Sequence, residues 1–141
     1  MSVFTSIYET IKEIPENICF YLRQSQIAFM PEAKKPYHKL SAVALRQMQK
    51  QQEPFFLLDV RTKIEFDGER IPGSIHMETE EVSNKITETI PSFDSKIVIY
   101  CHGGERSIEV AEILHKKGYR QIYYLNKGIA QWPYATEKAS L

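Results

Sequence analysis

The sequence has few cysteines, no excess of charge and no long apolar run, and each absence excludes a class of protein. Its 141 residues contain two cysteines, Cys19 and Cys101, without the pairing typical of zinc sites or the density of disulfide-rich secreted domains. The 18 basic and 18 acidic residues cancel, so the chain lacks the basic character of nucleic-acid binders. We therefore expect reduced thiols, a cytoplasmic location, no metal, no other cofactor and no nucleic-acid partner.

Targeting and membrane signals are also missing. No apolar run approaches the roughly 18 residues of a membrane span. The N-terminal residues lack the basic and apolar blocks of a signal peptide, and their three glutamates are unlike an Arg-rich transit peptide. This pattern predicts no membrane span and agrees with a cytoplasmic protein.

Two prolines and a charged pair in residues 31–36 predict a linker. This linker divides the chain into an N-terminal extension with its linker, residues 1–35, and a domain, residues 36–141. Apolar residues recur at helical spacing in the extension, and residues 18–30 are strongly apolar, so two short helices are predicted.

The role of the extension is left open by its sequence. Its helices could pack on the domain or on a second copy of the chain, which would make a homodimer. A docking or membrane-surface element is an alternative, although its polar residues are not rich in Lys or Arg. Cys19 is predicted to be a small buried side chain, with a redox partner for Cys101 as the alternative.

From residue 38 onward, strand and helix patterns alternate. The predicted strands are 38–40, 55–60, 74–77, 97–101 and 122–125, and the predicted helices or helical turns are 41–51, 62–66, 80–89, 106–117 and 128–132. Two of these strands are continuous apolar runs, which is typical of strands buried on both faces. The chain is therefore predicted to be α/β, with a central, mainly parallel five-stranded sheet flanked by helices. Helix 106–117 is expected to end at Gly118 and to bury Ile108, Ala111, Ile113 and Leu114.

The segment after strand 97–101 has the features of an anion-binding loop. Ligands of open α/β sheets bind beyond the carboxyl ends of the strands. Adjacent glycines, Gly103 and Gly104, allow backbone N–H groups to form an anion-binding turn, and the next helix adds the positive end of its dipole. The candidate site is the nucleophile Cys101 with His102, Gly103, Gly104, Glu105, Arg106 and Ser107.

A cysteine in such a loop is favoured as the thiolate, which is its nucleophilic form. Arg106 supplies a fixed cation whose guanidinium can hold two oxygens of an oxyanion, and a protonated His102 would add positive charge. Glu105 would oppose both effects if its side chain faced the loop, and its orientation is left open.

Taken together, four segments resemble the rhodanese (sulfurtransferase) family. Residues 57–61 (LLDVR) match its Asp-Val-Arg signature, and residues 65–75 contain the Glu-Phe and Ile-Pro-Gly-Ser-Ile elements of its second signature. Residues 99–107 match its active-site loop, and residues 124–132 match its closing segment. The resemblance extends over residues 38–134.

The resemblance implies a rhodanese-like fold and a function for Cys101. In that family the loop cysteine takes the outer sulfur of thiosulfate or a similar donor, and a thiophilic acceptor then removes it. The implied partners are a small anionic sulfur donor, a thiol or cyanide-like acceptor, and a protein acceptor as a further candidate. Asp59 and Arg61 are expected to brace the site, with direct substrate contact by Arg61 as the alternative.

The sequence departs from the family pattern in three places. Glu69 and Arg70 stand where Gly-His is usual, and Lys127 precedes Gly128 where two glycines are common. We expect Arg70 and Lys127 to lie near the mouth of the site. Glu105 replaces a neutral or basic residue, which favours a donor other than thiosulfate.

Two aromatic residues have structural explanations. His76 is predicted to be a hydrogen-bonded sheet histidine rather than a base, and Trp132 a core residue rather than a substrate platform.

Two other functions compete with sulfur transfer. Cysteine-dependent phosphatases and arsenate reductases have five residues between Cys and Arg, whereas four separate Cys101 from Arg106. The smaller ring favours a single sulfur over a tetrahedral phosphate. A non-catalytic binding or regulatory module would have no need of either residue.

Overall fold

A computed structural model gives the structure of the chain and describes residues 34–140. The predicted helices of the extension and Cys19 lie outside the described residues. The division into an extension and a domain therefore stays a prediction.

Within residues 36–140, five strands alternate with four helices and a final 3-10 turn follows. The strands are β1 (His38–Leu40), β2 (Phe56–Asp59), β3 (Ser74–His76), β4 (Lys96–Tyr100) and β5 (Gln121–Leu125). The helices are α1 (Ala42–Lys50), α2 (Lys63–Gly68), α3 (Thr79–Thr89) and α4 (Glu105–Lys117), and the 3-10 turn is Ile129–Gln131. The predicted alternation is confirmed. No helix among these residues has the length and apolar character needed to cross a bilayer.

The strands form one sheet in the order β1-β5-β4-β2-β3, and every neighbouring pair is parallel. The predicted α/β class with a parallel five-stranded sheet is confirmed. In the register, Asp59 at the end of β2 lies opposite Tyr100 at the end of β4 and His76 at the end of β3. The carboxyl ends of the three strands therefore meet at one edge, where ligands of such sheets bind.

Capping residues account for several of the helix ends. The Ser41 hydroxyl accepts the N–H of Ala44 at 3.1 Å and so caps α1. The Thr62 hydroxyl accepts the N–H of Glu65 at 3.3 Å and caps α2. Gly118 ends α4 in the left-handed region with φ of 107°, which confirms the predicted stop.

The buried face of α4 differs from the prediction. The helix buries Ser107, Val110, Ala111 and Leu114, whereas Ile108 and Ile113 are only half-buried. Buried positions at spacings of three and four residues form a single stripe along a helix. Ile108 and Ile113 lie beside this stripe. They were predicted to be buried because their side chains are apolar.

Tyr100 links the end of β4 to the loop before β3. Its hydroxyl accepts the backbone N–H of Ile71 at 3.1 Å and donates to the Ser74 hydroxyl at 3.1 Å. Burial raises the pKa of Tyr100 above its ordinary value, and the nearby Asp59 carboxylate acts in the same direction. The neutral phenol is therefore the form that holds this part of the sheet edge together.

Candidate active site

The candidate loop lies between β4 and α4, at the carboxyl end of the central strand. Gly104 is the residue before α4, and its φ of 112° lies in the left-handed region. A Cβ on Gly104 would lie 3.6 Å from the Lys127 nitrogen, an ordinary contact distance. Backbone conformation rather than space therefore accounts for glycine at this position.

The thiol of Cys101 is enclosed by this loop. Its side chain is buried, and its Sγ accepts a hydrogen bond from the Gly104 N–H at 3.0 Å. The donor lies at the N-terminus of a 13-residue helix, where free N–H groups favour negative charge. The sulfur thus accepts a backbone hydrogen bond at a helix N-terminus, a position that suits anionic ligands.

The segment after β5 fixes the carbonyl groups of the loop. The N–H of Ile129 donates to the Cys101 carbonyl at 2.9 Å, and the N–H of Ala130 donates to the His102 carbonyl at 3.0 Å. A Cβ on Gly128 would lie 2.3 Å from the His102 carbonyl oxygen, which excludes any side chain there. Backbone hydrogen bonds from the segment after β5 therefore fix the position of the loop.

Arg106, the expected cation of the site, is paired with Glu65 of α2. Its two terminal nitrogens lie 3.3 Å and 3.1 Å from the two carboxylate oxygens, and both side chains are about one-third exposed. The hydrogen bond to Glu65 raises the pKa of Arg106, with a smaller contribution in the same direction from the charge of Cys101. Glu65 belongs to the second family signature, but no role was predicted for its side chain.

Asp59 and Arg61 form a buried pair beside this contact. The Arg61 Nε lies 3.1 Å from Asp59 Oδ1, and one terminal nitrogen lies 2.8 Å from Oδ2. The same nitrogen donates to the Glu69 carbonyl at 2.5 Å, and Nε is 3.9 Å from a Glu65 oxygen. This geometry fits the bracing interpretation better than substrate contact, because the guanidinium is buried and already bonded.

The remaining loop residues differ in exposure. His102, Gly103 and Glu105 are exposed, and the Glu105 side chain has no hydrogen bond or ion pair with other residues in the described part of the chain. Ser107 is fully buried, and its hydroxyl has no hydrogen-bond partner among residues 34–140. The roles predicted for these residues stay predictions.

Arg70 is paired with the C-terminal segment. Its guanidinium pairs with Glu137 at 3.2 Å and lies 4.6 Å from the ring centre of Phe66. A backbone bridge between Arg70 and Glu137 brings the C-terminal segment to this residue. The position of Arg70 near the mouth of the site stays a prediction. Lys127 is exposed beside Gly104, as expected.

The two aromatic residues behave as structural residues. His76 Nε2 lies 2.7 Å from the Arg61 carbonyl oxygen, and its ring stacks on Phe66. Trp132 belongs to the buried core and borders a groove of about 450 Å³. No residue of loop 101–107 lines that groove, so it is separate from Cys101. The predicted structural placements of His76 and Trp132 are confirmed.

Within residues 34–140, no cluster of three or more His, Cys, Asp or Glu side chains is arranged to hold an ion.

The chain is thus an α/β protein with a parallel sheet, and it carries a cysteine in the loop between the central strand and a helix N-terminus. Within that class, the chain belongs to the rhodanese-like domain family, whose model matches residues 41–135. A sulfurtransferase of Allochromatium vinosum is 30% identical over 95 residues, which cover 67% of this chain and 87% of that protein.

Two further relatives are matched over part of their length. The putative sulfur carrier protein YrkF of Bacillus subtilis is 30% identical over 99 residues, covering 70% of this chain. The thiosulfate sulfurtransferase PspE of Escherichia coli is 29% identical over 65 residues, covering 46% of this chain. The chain spans 52% of YrkF and 62% of PspE.

Solved structures agree with the fold. A rhodanese-related protein of Thermoplasma volcanium is 27% identical with a TM-score of 0.62, covering 72% of this chain and 98% of that one. The Alr3790 protein of Anabaena has a TM-score of 0.67 at 23% identity, covering 72% of this chain and 94% of that one. At that identity the second likeness supports the fold alone.

Proposed function

We propose that this protein is a sulfurtransferase that carries a sulfane sulfur as a persulfide on Cys101. The observation that supports this best is the backbone N–H of Gly104 on the Cys101 sulfur at 3.0 Å, at the start of α4. A donor that stabilises a thiolate also stabilises the terminal sulfur of a persulfide, because both are anions.

The proposed reaction has two displacement steps. The Cys101 thiolate attacks the outer sulfur of the donor, so a new S–S bond forms and the donor's S–S bond breaks. The leaving sulfite or thiolate takes the bonding electron pair. An acceptor thiolate or cyanide then attacks the outer sulfur of the persulfide, and Cys101 leaves as a thiolate.

The proposed partners are small anionic sulfur donors such as thiosulfate, polysulfide or hydropersulfide, and a thiol or cyanide-like acceptor. A protein persulfide or protein acceptor is a further proposed partner, in keeping with the name of the Bacillus relative, a putative sulfur carrier. A cytoplasmic location is part of the same proposal, because a persulfide relay needs a reduced thiol.

The test is the intact mass of the protein after incubation with thiosulfate and, separately, with a small alkyl hydropersulfide. We expect a gain of one sulfur atom that cyanide removes. Cys101→Ser should abolish the gain, and Cys19→Ser is the matched control that should retain it. No gain with either donor, accompanied by hydrolysis of an aryl phosphate, would reject the proposal in favour of a phosphatase.

A further inference from the structure

The guanidinium of Arg106 is occupied within the protein. Both of its terminal nitrogens bond the Glu65 carboxylate, at 3.3 Å and 3.1 Å. Paired contacts of this kind are the strong form of an arginine–carboxylate interaction. An oxyanion that needs both terminal nitrogens therefore competes with Glu65 for them.

Charges of opposite sign are also paired beside the loop. Two carboxylates, Asp59 and Glu65, face two guanidinium groups, Arg61 and Arg106, through contacts between 2.8 Å and 3.9 Å. A doubly charged donor therefore approaches Cys101 beside an Arg106 guanidinium that is already paired with a carboxylate. A donor with one charge meets less repulsion and loses less from the absence of a free cation.

We propose that Glu65 is a specificity-determining residue that disfavours dianionic donors by holding Arg106, so that the protein prefers singly charged hydropersulfide donors to thiosulfate. This inference rests on the proposed sulfur transfer and deepens it. Thiosulfate must displace the Glu65 carboxylate before it can bond both terminal nitrogens of Arg106, whereas a hydropersulfide has no oxygens that need the guanidinium.

The surroundings of Glu65 allow a clean test. Its side chain is about one-third exposed, and the Glu65→Gln change removes the charge while keeping the shape and one carbonyl oxygen. Asp67 offers a matched control, since it lies on the same helix and pairs with Lys63 rather than with Arg106. Asp67→Asn removes the same charge without freeing the guanidinium.

The experiment compares kcat/KM for thiosulfate with kcat/KM for a small alkyl hydropersulfide in the full-length protein. In Glu65→Gln we expect the ratio to shift toward thiosulfate by roughly tenfold, the size expected of one charge-assisted hydrogen bond. The shift should shrink at high ionic strength, because the freed Arg106 is partly exposed to salt. Asp67→Asn should leave the ratio within about twofold of the original.

A binding measurement keeps this inference separate from the proposed reaction. Thiosulfate binding to the Cys101→Ser protein, followed by titration calorimetry, should tighten when Glu65→Gln is added. This readout does not depend on turnover, so it holds even if Cys101 gains no sulfur. An unchanged donor ratio together with unchanged thiosulfate binding would overturn the role of Glu65.

A second variant tests the inference if the Glu65→Gln protein does not fold. Glu65→Asp keeps the charge but shortens the side chain, so its oxygens withdraw from Arg106. We expect a smaller shift toward thiosulfate in the same direction. An unchanged ratio in a folded Glu65→Asp protein would count against the inference.

Discussion

The backbone N–H of Gly104 lies 3.0 Å from the sulfur of Cys101, and Gly104 reaches this position only through a left-handed backbone. The hydrogen bond to the Cys101 sulfur thus depends on a residue without a side chain. The neighbouring Gly103 has no φ in the left-handed region and open space around it. The two adjacent glycines therefore have different roles, which substitution separates.

Gly104→Ala should lower the free energy of unfolding by about 1–2 kcal/mol, because L-residues are strained at this φ. It should also slow persulfide formation, since relief of the strain moves the N–H away from the sulfur. Gly103→Ala is the matched control and should change stability by less than about 0.5 kcal/mol. Urea unfolding and stopped-flow sulfur transfer measure the two effects, and equal stability losses in both variants would contradict the assignment.

Gly128→Ala should be more damaging than Gly104→Ala. The added Cβ would lie 2.3 Å from the His102 carbonyl oxygen and 2.4 Å from that of Cys101, and backbone atoms on both sides cannot move independently. We expect a loss of about 3 kcal/mol or more, in the range of severe overpacking.

The control for Gly128→Ala is Gly68→Ala at the end of α2, where a Cβ would meet nothing within 4 Å. That change should leave stability equal or raise it by up to about 1 kcal/mol. Thermal unfolding of both variants checks the pair. A Gly128→Ala protein as stable as Gly68→Ala would show that the closing segment moves away from the loop.

Much of the fold could be predicted because its signals are local. Apolar runs identified β2 and β4 as buried strands, and Ser41 and Gly118 marked helix ends through their own chemistry. The buried face of α4 was less predictable, because Ile108 and Ile113 are as apolar as residues that face the core. Their exclusion depends on the angle at which the helix packs on the sheet.

The residues of the loop could be predicted from the sequence, but the charge pairing around them could not. The spacing from Cys101 to Arg106 is a local property of the sequence. The pairing of Arg106 with Glu65 joins residues 41 positions apart, and it depends on how α2 lies over the end of the sheet. The same holds for Arg70, whose partner Glu137 comes from the C-terminal segment. The prediction counted only the charges within the loop. It therefore overestimated the unpaired positive charge close to Cys101.

Ser107→Ala tests the buried hydroxyl of α4. A hydroxyl buried without a partner costs stability, and alanine is the better helix former, so the variant should be more stable by about 1 kcal/mol. If Ser107 serves the sulfur as predicted, sulfur transfer should fall while stability rises. Denaturant unfolding and the rate of persulfide formation are measured together. A destabilised variant would mean that the hydroxyl has a partner in solution.

Alkaline pH should unfold the protein through its buried tyrosines. Burial, together with the charge of Glu112 and the hydrogen bond to it, raises the pKa of Tyr37 to about 12. Burial also raises the pKa of Tyr100 and Tyr119. A phenol whose pKa is higher in the folded protein favours folding fully below its unfolded pKa of about 10. That contribution is lost as the pH rises through the folded value. Stability should therefore be level below about pH 10 and fall steeply toward pH 12.

Tyr100→Phe separates this titration from the structural role of the hydroxyl. At neutral pH the change leaves the buried N–H of Ile71 without its acceptor, so we expect a loss of about 1–3 kcal/mol. Above pH 10 the difference from the original protein should narrow, because phenylalanine cannot ionise. Urea unfolding at pH 7 and at pH 11, with phenolate absorbance recorded in parallel, measures both effects. A constant difference at the two pH values would show that Tyr100 does not contribute to the alkaline loss of stability.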